Sequence, residues 1–275
     1  MPSPILVRLG PLAIRWYGVL IVSGALAAAY FSSREAARRG HDPEIAWDML
    51  IWVLFWGIVG ARLYHVVSSP VGGNLGWSYY RQHPLEALMI WRGGLGIYGA
   101  LAGGIFGVAT YAWRHHLDLV EWLDIVAPNV LLAQAFGRWG NFFNQEAYGY
   151  PTNLPWGIYI DPSHRLPGLE QYSHYHPLFL YESLACLLAF VLLTLAQRRW
   201  LRTWLLRGDM LALYFASYGA IRTFTESLRP DAWRVGGWPT AQIISLAAVA
   251  VSLLYIALRH TLKPHPKEQT QSPSS

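Results

Sequence analysis

Charge is what this 275-residue sequence has least of: Asp, Glu, Lys and Arg make up 13 % of it, where a soluble domain carries about 25 %. A water-facing exterior needs about 25–35 % charged surface residues, so a soluble protein is excluded. Cysteine is nearly absent too. Cys186, the only one, lies in an apolar run and reads as packing, which rules out an intrachain disulfide or a cysteine-rich metal site. His65, His83 and the pair His115–His116 show no metal-ligand spacing and read as interfacial or loop residues. Zinc-finger and RNA-recognition patterns are missing. The basic residues behind the net charge of +5 fall in short clusters, not along one stripe, so no nucleic-acid partner is expected. The N-terminus lacks a cationic leader and a small-residue cleavage site, and reads as retained.

What the chain has is apolar length. Hydrophobic residues make up 53 %, and fourteen tryptophans and sixteen tyrosines suit the membrane–water interface. Seven stretches approach the roughly 20 apolar residues that cross about 30 Å of hydrocarbon: 12–32, 45–67, 93–113, 119–140, 177–197, 209–228 and 240–258. The third, GGLGIYGALAGGIFGVATYAW, is rich in glycine. That weakens a helix in water but permits close helix–helix approach in a bilayer. The expected fold is an all-α bundle of about seven transmembrane helices, a single domain over residues 1–260.

Orientation follows from Arg and Lys. With the N-terminus out, the inner segments hold Arg34, Arg38, Arg39, Arg114, Arg198, Arg199, Arg202, Arg207, Arg259, Lys263 and Lys267. The outer segments hold Arg8, Arg81, Arg92, Arg165, Arg229 and Arg234. That excess fits the positive-inside rule with the C-terminus in. Two long outer connections result, 68–92 and 141–176. The second is rich in proline and predicts a small head of turns and short strands. The tail 261–275 has a disordered composition. No internal repeat stands out, which weakens an inverted-repeat transporter.

Four arginines stand in or at the end of apolar runs: Arg15, Arg62, Arg138 and Arg222. Each costs about 2.5–3.5 kcal/mol at mid-bilayer on insertion scales. Arg15 and Arg62 read as snorkelling to the interface. Gln134, Arg138, Asn141 and Gln145 follow at spacings of 4, 3 and 4, one helix face. Tyr218, Arg222, Thr225, Glu226 and Arg229 form a second stripe at similar depth. Both are expected to face a common cavity, where a planar guanidinium fork suits a lipid phosphate. Structural readings stand beside this one: Arg222 and Glu226 as a self-neutralising i,i+4 pair, and Arg138 as a snorkelling residue. His176–Pro177 reads as a helix start, with Glu182 a buried acceptor.

The segment GRWGNFFNQEAYG (137–149) resembles the signature of the bacterial prolipoprotein diacylglyceryl transferase family, with Arg138, Asn141, Phe142, Asn144, Glu146 and Gly149 at the fixed places. RWYG (15–18, with Tyr17), HPLFLYE (176–182), YGAIRTFTESLRPD (218–231) and AQIIS (241–245) resemble further family stretches in order along nearly the whole chain. In the best-known enterobacterial relatives the glycine-rich third helix carries a histidine. Here Tyr98 stands in its place. Either Tyr98 serves only as a hydrogen-bonding group or the histidine is no simple base, since an unperturbed phenol titrates near 10.

The resemblance implies seven transmembrane helices in a bacterial plasma (inner) membrane, with the active site toward the outer face. It implies transfer of the diacylglyceryl group of phosphatidylglycerol to the lipobox cysteine of a preprolipoprotein signal peptide, with release of glycerol 1-phosphate. The substrate supplies the nucleophile, and neither metal nor organic cofactor is implied. Arg138, Arg222, Glu226 and Tyr98 are the expected catalytic residues. Arg138, Asn141, Asn144, Glu146, Tyr17, Tyr218 and Arg229 are the expected substrate-binding ones. A transporter or flippase for an anionic lipid is the alternative; it needs a polar path across the whole membrane, whereas these stripes cluster toward one side. A non-catalytic scaffold needs no arginine inside its bundle.

Overall fold

A computed structural model describes residues 3–10, 12–68, 76–90, 93–200 and 203–262. Seven long helices account for most of them: α1 (Trp16–Arg39), α2 (Glu44–Val67), α4 (Ile97–Arg114), α5 (Leu119–Asn144), α6 (Leu178–Trp200), α7 (Asp209–Ser227) and α8 (Thr240–Thr261). A single-turn helix, α3 (Trp77–Tyr80), lies between α2 and α4. Every expected apolar run has its helix. The first starts later than its run, because Leu12–Arg15 form strand β2, paired antiparallel with β1 (Ile5–Leu9). Gly10 makes the turn at a φ of 60°, and the helix begins at Trp16. Helix α8 runs to Thr261. The rest of the predicted tail, 263–275, lies outside the described residues, as do Arg92, Arg202, Lys263 and Lys267.

Helices α1, α2, α5, α6 and α8 are long and apolar enough to cross a membrane. Helix α8 shows what surrounds them. Only 11 % of its most apolar window is buried inside the protein, and so much outward apolar surface is stable in lipid, not in water. Helices α4 and α7 are shorter, at 18 and 19 residues, and carry more glycine and more polar groups respectively.

The chain divides into two compact units, Met1–Asn144 and Gln145–Ser275. In the first, glycine decides the packing. A Cβ on Gly99 would enter the Gly60 carbonyl, and one on Gly103 would enter the Trp56 carbonyl, so α2 and α4 touch backbone to backbone. A Cβ on Gly24 would come within 2.9 Å of the Ala133 carbonyl, so α1 also lies close against α5. Dispersion between apposed backbones is the main cohesive force available in lipid, where burial of apolar surface gains little. One end of this unit is closed by Ala36, Met49, Tyr111, Trp122 and Ile125. Beside it Asn129 donates to Ser32 Oγ and to the Ile125 carbonyl, both at 2.9 Å.

The second unit starts with a small head. Strands β3 (Ile158–Tyr159) and β4 (His174–Tyr175) pair antiparallel, and Pro151 bridges to Tyr175. Tyr148, Ile160 and Tyr175 form its core. Helix α6 follows directly after Pro177, and α7 and α8 pack closely. Gly219 allows this, since a Cβ there would sit 2.8 Å from the Ser245 carbonyl. Gln242 donates from α8 to the Thr223 carbonyl at 3.2 Å. A hairpin of β5 (Arg234–Val235) and β6 (Trp238–Pro239) leads into α8, turning on Gly236 and Gly237 at φ of 58° and 85°.

The α2–α4 contact is testable. Gly103→Leu should destabilise the detergent-solubilised protein by about 1–3 kcal/mol through overpacking, read as a lower thermal midpoint. An unchanged midpoint would show that the helices do not meet at that glycine.

Candidate active site

The segment GRWGNFFNQEAYG straddles the boundary between the two units, and its halves do different work. Residues 137–144 are the last turns of α5. Gly140 faces the start of α1, where a Cβ would overlap the Tyr17 ring. One residue before Tyr17 and three after Gly140 the contact is aromatic, with Trp16 stacked on Phe143 at 4.8 Å. This brings Tyr17, Arg138 and Asn141 to one end of the α1–α5 pair. Asn141 is buried, while Arg138 and Asn144 are half-buried.

The helix stops at Asn144. Gln145 takes a φ of 52° and Ala147 one of 53°, a left-handed backbone that costs non-glycine residues about 1–3 kcal/mol each. The stripe expected to continue through Gln145 therefore ends before it. Gln145 instead makes a reciprocal pair with Asp161, donating to Oδ2 at 2.6 Å and accepting from the Asp161 N–H at 2.8 Å. Glu146 is exposed between the two strained residues. Gly149 closes the turn: its N–H donates to the His176 carbonyl at 2.9 Å. A Cβ there would meet His176 Cβ at 2.8 Å and the Leu228 carbonyl at 3.1 Å. Tyr148 donates to the His164 carbonyl at 2.7 Å. The second half of the segment is thus a clamp that joins the head to the residues before α6 and after α7.

Arg222 sits in α7 between two carboxylates. Its Nη1 donates to Glu182 Oε2 at 3.2 Å, and its Nη2 is hydrogen-bonded to Glu226 Oε2. Tyr218 donates to the other oxygen of Glu182 at 3.3 Å. Arg229, just past the end of α7, lies 3.8 Å from Glu226 and makes a two-point pair with Asp231 at 3.1 and 3.0 Å. Both glutamates are buried. The i,i+4 pair that the spacing offers does form, but it is half of the arrangement. Glu182, on α6 and forty positions away, supplies the other half. Sequence reasoning placed it as a buried acceptor without linking it to Arg222; its signals were a carboxylate inside the apolar run LFLYESLACLL and its place at the end of the family-like HPLFLYE.

Tyr98 belongs to the α2–α4 pair. It stands in the first turn of α4, 70 % exposed, with its ring 5.8 Å from that of Tyr64. Of the two arginines read as snorkelling, Arg15 is exposed at the end of β2. Arg62 departs from that reading: it is buried and bonded to main-chain carbonyls. Cys186 is buried within α6. Among the described residues no three His, Cys, Asp or Glu side chains gather as a metal-binding group.

Helices with outward apolar faces, together with a buried arginine–carboxylate network, define a polytopic helical membrane protein. A family profile described as prolipoprotein diacylglyceryl transferase matches residues 4–258. The chain belongs to that family. It is 39 % identical over 268 residues to a phosphatidylglycerol–prolipoprotein diacylglyceryl transferase of Nostoc sp., covering 95 % of this chain and 91 % of the relative. Proteins with the same name from Synechococcus elongatus and Frankia alni are 40 % and 42 % identical, covering 95 % and 98 % of this chain and 89 % and 70 % of theirs.

The head carries a pH signature. Burial pushes the phenols of Tyr148 and Tyr175 up from their ordinary value. The folded head therefore favours the neutral phenol. The stability this contributes is full below about pH 10, the unfolded value, and is lost as pH rises through the raised folded values. An ultraviolet absorbance titration should show a late-ionising component that shrinks in a Tyr148→Phe/Tyr175→Phe protein. A late component of the same size in that double variant would refute the assignment.

Proposed function

We propose that this protein transfers the diacylglyceryl group of phosphatidylglycerol to the lipobox cysteine of preprolipoproteins. The observation that carries this reading is the shared name of relatives that align with nearly the whole chain. In the proposed step the cysteine thiol gives up its proton and its sulfur bonds to the glyceryl carbon that carries the phosphate. The carbon–oxygen bond to the phosphate breaks, and glycerol 1-phosphate leaves with the electron pair. The relatives' name gives no support to an anionic-lipid transporter.

Negative charge collects on the departing phosphate, so fixed cationic donors lower the barrier. Arg138 and Arg222 are assigned to it, because a guanidinium offers a planar fork of donors. Glu182 and Glu226 hold the Arg222 fork in place and neutralise it between turnovers. Glu226 is also the carboxylate assigned to the thiol proton. Asn141, Asn144 and Glu146 are assigned to the glycerol hydroxyls of the headgroup, with Tyr17, Tyr98 and Tyr218 as further polar contacts. Arg229, 3.8 Å from the same Glu226 oxygen that Arg222 holds, steadies that carboxylate.

The topology that suits this chemistry has all seven long helices in the plasma membrane, N-terminus out and C-terminus in. At 1.5 Å per residue α4 and α7 are about 27 and 28 Å long, close to the roughly 30 Å of hydrocarbon. The head and the polar ends of α5 and α7 then lie at the outer face, where the secreted substrate arrives.

The reading is tested with purified protein in phosphatidylglycerol liposomes and a lipobox peptide with one cysteine. Mass spectrometry should show a diacylglyceryl thioether, and Arg138→Ala should lower its rate by at least about 100-fold, as for removal of a transition-state donor. No thioether from the unaltered protein would refute the transferase reading; an active Arg138→Ala would refute the role of that arginine.

A further inference from the structure

Arg62 lies in the apolar sequence of α2, yet among the described residues its side-chain hydrogen bonds go to carbonyls and none to a carboxylate. It is 8 % exposed. Nε donates to the Ala87 carbonyl at 2.7 Å and Nη2 to the Glu86 carbonyl at 2.6 Å. Nη1 donates to the carbonyls of Gly93 and Gly94 at 2.8 and 3.0 Å. The Tyr80 ring lies 5.3 Å from the guanidinium, within cation–π range. The Glu86 carboxylate itself accepts from Tyr79 at 2.9 Å. Anchoring at the interface needs none of this. A five-donor fork closed on four carbonyls from two stretches of chain fixes a backbone path.

The path it fixes is the entry to α4. Gly93 and Gly94 take φ of 90° and 76°. A Cβ on Gly94 would sit 2.8 Å from Arg62 Nη1 and would overlap the His65 ring. Gly96 donates to the Ala61 carbonyl at 3.0 Å and leaves no room for a Cβ beside Tyr64. In GGLGIYG, Gly94, Gly96 and Gly99 are therefore required by contact with α2 and Gly93 by its positive φ, and Tyr98 is the exposed side chain delivered at the end.

We propose that Arg62 is a positioning residue for the transfer reaction, holding through these four carbonyls the main chain that presents Tyr98 to the substrate. The proposal rests on the transferase reading and on the polar contact assigned there to Tyr98.

The test is a double-mutant cycle in the thioether assay, with kcat and KM measured separately. Arg62→Lys keeps the charge but loses the planar fork. It should lower kcat by about 100-fold, the cost of a misplacement near 1 Å, with KM for the peptide little changed. Tyr98→Phe should also lower kcat. In that background Arg62→Lys should cost only a few-fold more, because residues acting through one group are not additive. Gly94→Ala, which pushes on the same guanidinium, should reproduce the loss of kcat and decides the matter if Arg62→Lys does not fold. Fully additive losses, a fully active Tyr98→Phe, or unaltered kcat in Gly94→Ala would overturn the role of Arg62 while leaving the transferase reading intact. No thioether from the unaltered protein would overturn that reading and this role with it.

Discussion

A guanidinium placed among hydrocarbon must find partners inside the protein, because lipid offers none and the unmet cost is several kcal/mol. Much of the arrangement around the candidate site follows from how that demand is met. Arg222 meets it with two buried glutamates from different helices. Arg62 meets it with four backbone carbonyls. The two solutions have different consequences. A carboxylate can be exchanged for another anion, which is why Arg222 is the arginine proposed to meet a phosphate. Backbone carbonyls are not exchanged during turnover, so an arginine held by them is a fixture.

Glycine is the second device, and it serves packing more than flexibility. In α4 the glycines mark where the helix lies against α2, and in α1 and α5 single glycines admit a neighbouring carbonyl or a tyrosine ring. Backbones this close put helix ends, and the polar residues on them, into fixed register. Rigid placement matters for a reaction whose nucleophile and leaving group both belong to substrates, because the protein then contributes chiefly orientation and charge.

The GRWGNFFNQEAYG segment joins these themes. Its first half ends a helix with polar groups beside Tyr17. Its second half accepts two strained backbone conformations, held by the Gln145–Asp161 pair and the bond from Gly149 to His176. Strain of that kind persists only where the surroundings over-determine it. A single unbroken helix would have carried Gln145 onto the same face as Arg138. The break sends it to the head instead.

Local information sufficed for the helices. Apolar length marked all seven, and the arginines inside those runs marked the positions that needed partners. Arg138, Arg222 and Glu226 were legible as candidates because their spacing and chemistry are written within one or two turns. The partners were not. Glu182 lies forty residues from Arg222, and the carbonyls that hold Arg62 lie twenty-four to thirty-two residues away. A carbonyl belongs to every residue and leaves no mark in a sequence. The left-handed turn at Gln145 was equally hidden, since helical spacing extends past a helix end unless a glycine or proline announces the stop. What the sequence by itself determined was therefore the set of helices, the candidate residues for a phosphate and the family. The tertiary structure alone decided which charges neutralise which, where α5 stops, and why the glycines before Tyr98 are there, because each of those depends on atoms brought together from distant parts of the chain.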